Sequence, residues 1–498
     1  MTADKILFID PPLSHEPGIR YNNLKMPLGY LYMAGNLEKH GFKVKILSCP
    51  LYWKKKRVLN NGKIKIGLFP DEIKKVIKKF QPDIVGVSCA YSAYESDSFE
   101  VISLVKQTAE EIKKKILILV GGAHTSANPE YVLRNKDIAL AVIGEGEETV
   151  LEIAERYKHK KKMNNIKGTA LRERDKIKIN KPREFIKNID ELKPAWGSLN
   201  LPLYFSHPDN SAITLRKPAI DIITSRGCVG NCVFCSIHTV WGRNWRGRSA
   251  RNIVDEIEFL IKKYHVKQFR FQDDNLTLDK KRIMQICNEI IRRNLDIKWD
   301  TPNGIAIWTL NPALLKKMKS AGCYRVTFGI ESGCEKSQKY IRKIIDLKKI
   351  NELIDYCHKI GLWVCATFII GFPYETKQDI EKTRNFIINS KINFPFIYIA
   401  QPLPGTDLYN DFKKEGLLNK LETASNVHQS KYNTLYFTNL ELNKMRRAIF
   451  RQFYIQKIIS YANPFVFYRE FLSKIRAFED ITYIFKNLFT FLRGLGSF

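Results

Sequence analysis

No stretch of this 498-residue chain stays apolar for the roughly 18 consecutive residues that a membrane-spanning helix requires. The opening, Met1-Thr-Ala-Asp-Lys-Ile-Leu-Phe-Ile-Asp10, is too short and too acidic for a signal peptide and reads directly into a strand. Acidic residues are scarce: 51 Asp and Glu stand against 82 Lys and Arg, a formal net charge of +31. Cysteine is thin as well, with 10 residues, and without an export signal these read as thiols or metal ligands rather than disulfides. With hydrophobic content at 44% and charged residues at 27%, a multi-span membrane protein, a collagen-like repeat and a mostly disordered chain are excluded. The expectation is a cytoplasmic globular chain of two to four domains.

Basic surface is the footprint of phosphate binding. Here, however, Lys outnumbers Arg and is spread over the whole chain among many Ile and Asn. No basic stripe with interleaved aromatics stands out before the C-terminal end. The excess reads as compositional drift, with no specific nucleic-acid partner.

Over residues 1–157, short apolar runs bounded by Gly and Pro alternate with helical-period segments. Strands are expected at 5–10, 43–49, 83–89, 116–120 and 138–143, with helices at 27–40, 71–80 and 97–114. This is an α/β pattern, a doubly wound Rossmann or flavodoxin-like sheet, which binds ligands at the carboxyl ends of its strands. Those ends carry Pro11-Pro12, Ser88, Gly121-Gly122-Ala123-His124 and Gly144-Glu145-Gly146, where glycine lets a large ligand approach the backbone. Residues 158–215 read as a linker with a hairpin. Over 216–430, strand-like segments begin near Ile220, Gln268, Ile297, Tyr324, Trp363 and Phe396 and alternate with helical ones. Six such repeats suggest a partial (β/α)6 TIM-type barrel, with functional residues just after each strand. Residues 431–498 read as a helical region rich in Phe, Tyr and Lys.

Seven cysteines (49, 89, 287, 323, 334, 357 and 365) are scattered and suit small buried hydrophobes. Cys228, Cys232 and Cys235 instead crowd together after the first barrel strand. Random placement would give three at these spacings on the order of 0.004 times per chain. Three such thiolates can ligate three irons of a [4Fe–4S] cube and leave the fourth iron open, and Gly227 and Gly230 let the loop fold tightly. With His238 the same residues would also suit a Cys3His zinc site. Zinc would not account for the polar segments after the other strands: Gln272-Asp273-Asp274-Asn275, Glu331-Ser332-Gly333, Gly371-Phe372-Pro373-Tyr374-Glu375 and Gln401-Pro402-Leu403-Pro404-Gly405.

In this order the motifs resemble the radical S-adenosylmethionine superfamily, over about 215–425. The resemblance implies that Cys228, Cys232 and Cys235 ligate the cluster, whose open iron chelates the methionine moiety. One electron then cleaves the sulfonium to a 5′-deoxyadenosyl radical that abstracts a substrate hydrogen. It implies Phe234 near the adenine. Asp273, Asp274 and Asn275 stand where the family has a Gly-Gly-Glu motif for the amino group. Glu331 and Ser332 match the ribose position, Gly371 and Glu375 the adenine side, and Gln401 is a further contact.

A doubly wound domain ahead of such a barrel is similar to the cobalamin-binding branch of that superfamily. The branch holds C- and P-methyltransferases and anaerobic magnesium-protoporphyrin monomethyl ester cyclase. This resemblance implies that Ser88, Gly121, Gly122, Gly144 and Gly146 line cobalamin. The Asp-x-His-x-x-Gly motif whose His ligates cobalt elsewhere is absent, so cobalamin is expected base-off with no His ligand. His15 then reads as loop and His124 as a capping or tail-contacting residue. A dinucleotide fingerprint is the rival, but Gly144-x-Gly146 comes too late in the fold and lacks the third glycine.

The implied function is methyl transfer to an unactivated carbon or phosphorus centre of a small-molecule or lipid-like substrate. An external donor such as flavodoxin or ferredoxin would supply electrons. The alternatives are an anaerobic oxidative cyclase or ring-rearranging enzyme and, outside catalysis, a cobalamin-binding sensor. No second Cys-x-x-Cys set follows Thr406, so auxiliary clusters are not expected. Aromatic and basic residues alternate in 450–454, 465–471 and 484–492. That pattern has two readings, packing against the barrel or shallow attachment to an anionic membrane.

Overall fold

The apolar runs and amphipathic segments fold, in the computed structural model, into two units: Met1–Ser211 with Ser236–Gly242, and Ala212–Cys235 with Arg243–Phe498. The structure describes residues 4–16, 24–207, 214–418, 431–475 and 478–486.

The first unit is built on a seven-stranded sheet. Its parallel strands Lys5–Asp10, Lys43–Ser48, Ile84–Ser88, Leu117–Gly121 and Leu140–Val142 lie in the order second, first, third, fourth, fifth. This is the doubly wound arrangement the alternation implies. The strands are continuous apolar runs, with Ile6, Leu7, Phe8 and Ile9 all buried, as a sheet covered on both faces demands. Strand order reverses between Lys5–Asp10 and Ile84–Ser88, so Asp10 and Ser88 stand at the switch point where this topology holds ligands.

Two features depart from the sequence reading. The hairpin Thr169–Glu173 and Lys176–Ile179, expected within a linker, continues this sheet antiparallel to Leu140–Val142. Without it that strand would present an open edge of unpaired backbone groups, so the unit runs on past residue 157 to Ser211. The second is a small antiparallel sheet of Leu13–His15, Ile64–Ile66 and Lys56–Val58. Strands of three residues are too short to leave a periodic signal. Buried Lys65 pins this sheet: its Nζ meets Asp97 Oδ1 at 2.9 Å, and Asp97 also accepts from Ser14 N at 2.9 Å and Ser14 Oγ at 2.6 Å.

The second unit is the expected six-stranded part barrel. Strands Ala219–Ile222, Gln268–Phe271, Lys298–Asp300, Cys323–Glu331, Trp363–Ile370 and Phe394–Ile399 pair in parallel and in chain order. Five helices between them start at side-chain caps: Ser249, Asp279, Asn311, Asp346 and Thr376 each accept a backbone N–H. A charged ladder crosses four neighbouring strands. Arg270 Nε meets Asp221 Oδ1 at 2.6 Å, and Arg325 pairs with Asp300. All four side chains are buried, and two carboxylates face two guanidiniums.

The C-terminal region belongs to this unit. Helix Asn439–Tyr461 packs beside the sixth strand, where Arg446 Nε donates to Ile397 O at 2.7 Å. Farther on, Phe471 and Tyr483 pack on Tyr324 and Trp363 near the amino ends of the strands. Buried Glu470 ties this layer together, accepting Asn393 Nδ2 at 3.0 Å with Lys457 Nζ at 3.5 Å. Lys474 lies over the Trp363 ring, 4.0 Å from its centroid, and burial pulls its pKa down to about 7. Packing against the barrel therefore describes Phe450, Phe453, Phe471 and Tyr483, all buried. Residues 487–492 lie outside the described residues.

The ladder yields a test. Asp300→Ala leaves Arg325 buried without its carboxylate, and should cost about 3–5 kcal/mol in urea unfolding followed by fluorescence. Replacing both partners, Asp300→Leu with Arg325→Met, should recover most of that loss.

Candidate active site

The first barrel strand ends at Ile222, and the chain passes through Thr224 and Ser225 into the cysteine loop. Gly227 opens the loop at φ 84°, where a side chain would be strained. Gly230 lies among the thiols: a methyl group there would meet Cys228 Sγ at 3.4 Å and Cys232 Sγ at 3.9 Å. Arg243 Nη1 donates to Gly230 O at 2.5 Å, and Cys235 N to Cys232 O at 3.1 Å. Cys228, Cys232 and Cys235 are partly exposed, whereas the other seven cysteines are buried. The structure thus divides the ten as their spacing does. Among the described residues, no three His, Cys, Asp or Glu side chains converge as a single metal ion would need. A cube takes one thiolate at each of three separate irons.

The segment after the second strand separates its polar residues by role. Asp273, expected at S-adenosylmethionine, is saturated by the root of the cysteine loop. It accepts from Thr224 N at 2.8 Å, Thr224 Oγ1 at 2.6 Å and Ser225 Oγ at 2.5 Å. Arg282 braces the same root, donating from Nη2 to Thr224 Oγ1 at 2.8 Å and from Nε to Arg248 O at 2.7 Å. Asp274 takes the Gly227 N–H, yet its Oδ2 is buried without a hydrogen-bond partner. Burial, then the charge of Asp273, pushes its carboxyl up to about 7. Asn275 Nδ2 lies 3.9 Å from Cys228 Sγ, and its Oδ1 is likewise buried and unpartnered. Trp245 Nε1 holds the Asn275 carbonyl at 2.9 Å.

Buried acceptors without donors are costly and uncommon. Two of them on successive residues, one 3.9 Å from a thiol through its Nδ2, call for a donor-rich cation, and an ammonium brings three N–H groups. The amino group of S-adenosylmethionine is of that kind. These residues therefore fit a three-thiolate cluster with S-adenosylmethionine beside it.

At the fourth strand Glu331 takes φ 66°, a strained conformation for a non-glycine residue at a site. Its Oε1 accepts Lys343 Nζ at 2.8 Å and its Oε2 accepts Thr367 Oγ1 at 3.1 Å. Lys343 carries no motif signal and was not among the expected site residues. Burial opposes its charge, but Glu331, Cys232 and Cys228 outweigh that and hold its pKa above the usual lysine value. Burial pushes the Cys232 thiol up, against the pull of Lys343. Ser332 and Glu375 are satisfied internally. Ser332 Oγ bonds Thr383 Oγ1 at 3.0 Å and accepts from Cys334 N at 3.1 Å. Glu375 accepts from Gly371 N at 2.7 Å and Ser337 Oγ at 2.8 Å, and burial raises it to about 7. Both shape turns beyond their strands. Gly371, at φ 83°, abuts Leu442; Phe234 rests near the Phe372 ring, with centroids 6.3 Å apart. Buried Gln401 donates to Ile399 O at 3.3 Å.

In the first unit the crevice floor is made of small residues. Gly122 sits at φ 117°, and a methyl group there would lie 2.9 Å from Ala90 Cα and Cys89 O. One on Gly121 would meet only Val142, at 3.6 Å, which leaves room above the strand end. Gly144, at φ 76°, completes the row beyond Ser88. Gly146 serves packing instead, since a methyl group would strike Met33 Sδ at 2.6 Å. This floor fits a large ligand drawn close to the backbone, as cobalamin would be. Both ring nitrogens of His124 are engaged, Nδ1 with Ser92 Oγ at 2.7 Å and Nε2 with Glu95 Oε2 at 2.6 Å. His15 lies buried in its short strand, its ring 5.8 Å from that of Tyr94.

Each of these regions can be tested by substitution. Asp273→Ala should release the loop root and lower iron retained per chain after gel filtration. Asp274→Ala should keep the iron yet weaken S-adenosylmethionine binding about tenfold or more, as loss of a charged hydrogen bond does. At the crevice, burial raises Asp10 from 3.8 to about 6 against the Ser48 hydrogen bond. The folded state then keeps a proton that the unfolded chain loses over about pH 4–6, so stability falls as pH rises through that window. Asp10→Asn should flatten the slope in thermal melts of cobalamin-free protein, by up to about 3 kcal/mol.

Comparisons with known proteins agree with this geometry. Residues 222–387 match the radical SAM superfamily and residues 20–154 the B12 binding domain. An uncharacterised methyltransferase of Pyrococcus horikoshii is 32% identical over 465 residues, covering 92% of this chain and 94% of its own. Cytidylyl-2-hydroxyethylphosphonate methyltransferase of Streptomyces wedmorensis is 30% identical over 432 residues, 80% of this chain and 79% of its own. The solved structure of the radical S-adenosylmethionine methyltransferase TsrM from Kitasatospora setae, with cobalamin and a [4Fe–4S] cluster bound, shares the fold. Its TM-score is 0.69 at 14% identity, over 99% of both chains. With Cys228, Cys232 and Cys235 on one loop, two unpartnered acceptors after the next strand and small residues at the strand ends of a separate unit, the chain belongs to the radical S-adenosylmethionine superfamily, in the branch that carries a B12 binding domain, and its cofactors are a [4Fe–4S] cluster, S-adenosylmethionine and cobalamin.

Proposed function

We infer that the chain is a cobalamin-dependent methyltransferase acting on an unactivated carbon or phosphorus centre of a small molecule. The observation that carries the reading is the pair of unpartnered acceptors on successive residues, Asp274 Oδ2 and Asn275 Oδ1, with Asn275 Nδ2 3.9 Å from the Cys228 thiol. Methyl transfer rather than cyclisation is supported by the two relatives at 30% and 32% identity, both methyltransferases. When bound, the cluster supplies the electron that cleaves S-adenosylmethionine, and cobalamin carries the methyl group.

This chain's own residues then divide the work. Cys228, Cys232 and Cys235 ligate iron, and Asp274 with Asn275 accepts the ammonium. Asp273, Arg282 and Arg243 hold the loop in place, and Phe234 with Phe372 offers an aromatic wall for the adenine. Glu331 is held for the ribose by Lys343 and Thr367, while Ser332 and Glu375 keep the turns on either side. Ser88, Gly121, Gly122 and Gly144 would admit cobalamin, and both nitrogens of His124 are already committed to Ser92 and Glu95. Electrons come from an external donor such as flavodoxin or ferredoxin. Among the described residues no helix is long and apolar enough to cross a membrane. The reading places the chain in the cytoplasm, with membrane contact confined to its periphery.

The test uses methyl-deuterated S-adenosylmethionine in anaerobic reactions with candidate substrates. Label should enter the product, with one S-adenosylhomocysteine and one 5′-deoxyadenosine formed per turnover. Each of Cys228→Ala, Cys232→Ala and Cys235→Ala should abolish 5′-deoxyadenosine. An unlabelled product without S-adenosylhomocysteine above background would replace this reading by the oxidative cyclase.

A further inference from the structure

Helix Asn439–Tyr461 buries Leu442, Ile449, Phe450 and Phe453 against the barrel unit. Its outer side is an exposed stripe of Lys444, Arg447, Arg451, Ile455 and Ile458, with Ile459 alongside. Spacings of three and four residues set these on one face. The first half of the stripe is basic and the second is apolar. The apolar character continues beyond the helix. Phe465 and Tyr468 are exposed on Pro464–Glu470, then Leu472, and Phe478 and Phe485 on the last described helical stretch. Phe465 is 82% exposed and Phe478 79%. Nine of the 20 large hydrophobic side chains exposed among the described residues fall within 455–485.

Loose packing does not explain this exposure. The same segments are anchored through Phe471, Tyr483 and buried Glu470. Single exposed apolar residues are ordinary, but such a concentration marks an interaction surface. Its charge says of what kind. Of the four acidic residues in 439–486, Glu441 caps the helix at Thr438, Glu470 is buried, Glu479 reaches toward Arg216 at 3.9 Å, and half-buried Asp480 follows it, outside the helix that carries the basic stripe. The three basic residues of the stripe thus stand beside the apolar surface with no acidic residue of the stripe opposing them. Basic groups next to exposed Phe, Ile and Tyr match an anionic headgroup layer over an acyl boundary.

We propose that this face docks the protein peripherally on anionic phospholipid, with Phe465, Phe478 and Ile459 entering the boundary and Lys444, Arg447 and Arg451 meeting the phosphates. None of these residues belongs to the active site, so the proposal stands apart from the methyl-transfer reading.

The experiment sediments the full-length holoprotein with vesicles of phosphatidylcholine alone, or with about one-third phosphatidylglycerol added. Binding is expected only with phosphatidylglycerol, and should weaken in about 0.5 M salt. Changing Lys444, Arg447 and Arg451 together to Glu should reduce it about tenfold or more. Phe465→Ser with Phe478→Ser should do the same through the apolar contact. Circular dichroism and cluster absorbance check folding, and 5′-deoxyadenosine formation without vesicles should match the parent. Equal sedimentation of parent and variants, or of parent with and without vesicles, would overturn the proposal. So would a dimer in analytical ultracentrifugation that Phe465→Ser with Phe478→Ser dissolves, which would assign the face to a second copy.

Discussion

The active site hangs on one buried carboxylate. Asp273 receives three hydrogen bonds from Thr224 and Ser225, at the root of the cysteine loop. Hydrogen bonds to a charged group contribute about 1.5–3 kcal/mol each, so this root is held far more firmly than a glycine-rich loop could hold itself. Arg282 fixes Thr224 from a neighbouring helix, and Arg243 fixes the loop tip at Gly230 O. Between these clamps the three thiols remain partly exposed. Rigidity at both ends leaves the chemistry in the middle.

The buried carboxylates of this unit fall into two kinds. Asp273 and Glu375 are each met by donors from the protein and serve its architecture. Asp274 differs from Asp273: adjacent in sequence, half-buried, and left with a buried oxygen that accepts no hydrogen bond from the chain. A folded protein tolerates such an atom where a ligand supplies the missing donor. The contrast between two successive aspartates thus separates scaffold from site more sharply than either residue alone.

That contrast also marks where sequence reasoning stops. Parallel strands such as Lys5–Asp10 and Trp363–Ile370 are apolar enough to announce themselves, and the cysteine spacing announces the cluster. Asp273, Ser332 and Glu375 arrive at strand ends as expected, but spacing says nothing of which donors will claim them. Lys343 lies 12 residues beyond Glu331, across a helix and a turn, so no local pattern joins the two. Thr169–Glu173 and Lys176–Ile179 are legible as a hairpin. Their membership of the first sheet depends on the open edge of Leu140–Val142, a tertiary circumstance.

The sixth barrel strand pairs on one side only, and helix Asn439–Tyr461 lies beside it, with Arg446 taking the Ile397 carbonyl. This order has a consequence for biosynthesis. Chains fold from the amino end as they are made, at about 5–20 residues per second. Phe394–Ile399 therefore leaves the ribosome some 60 residues ahead of the end of its covering helix, roughly 3–12 seconds at that pace. For those seconds a nearly complete parallel sheet offers an unprotected edge to any neighbouring nascent chain. Yield in a heterologous host then depends on how quickly the final helices are translated, and on chaperones that occupy the edge meanwhile.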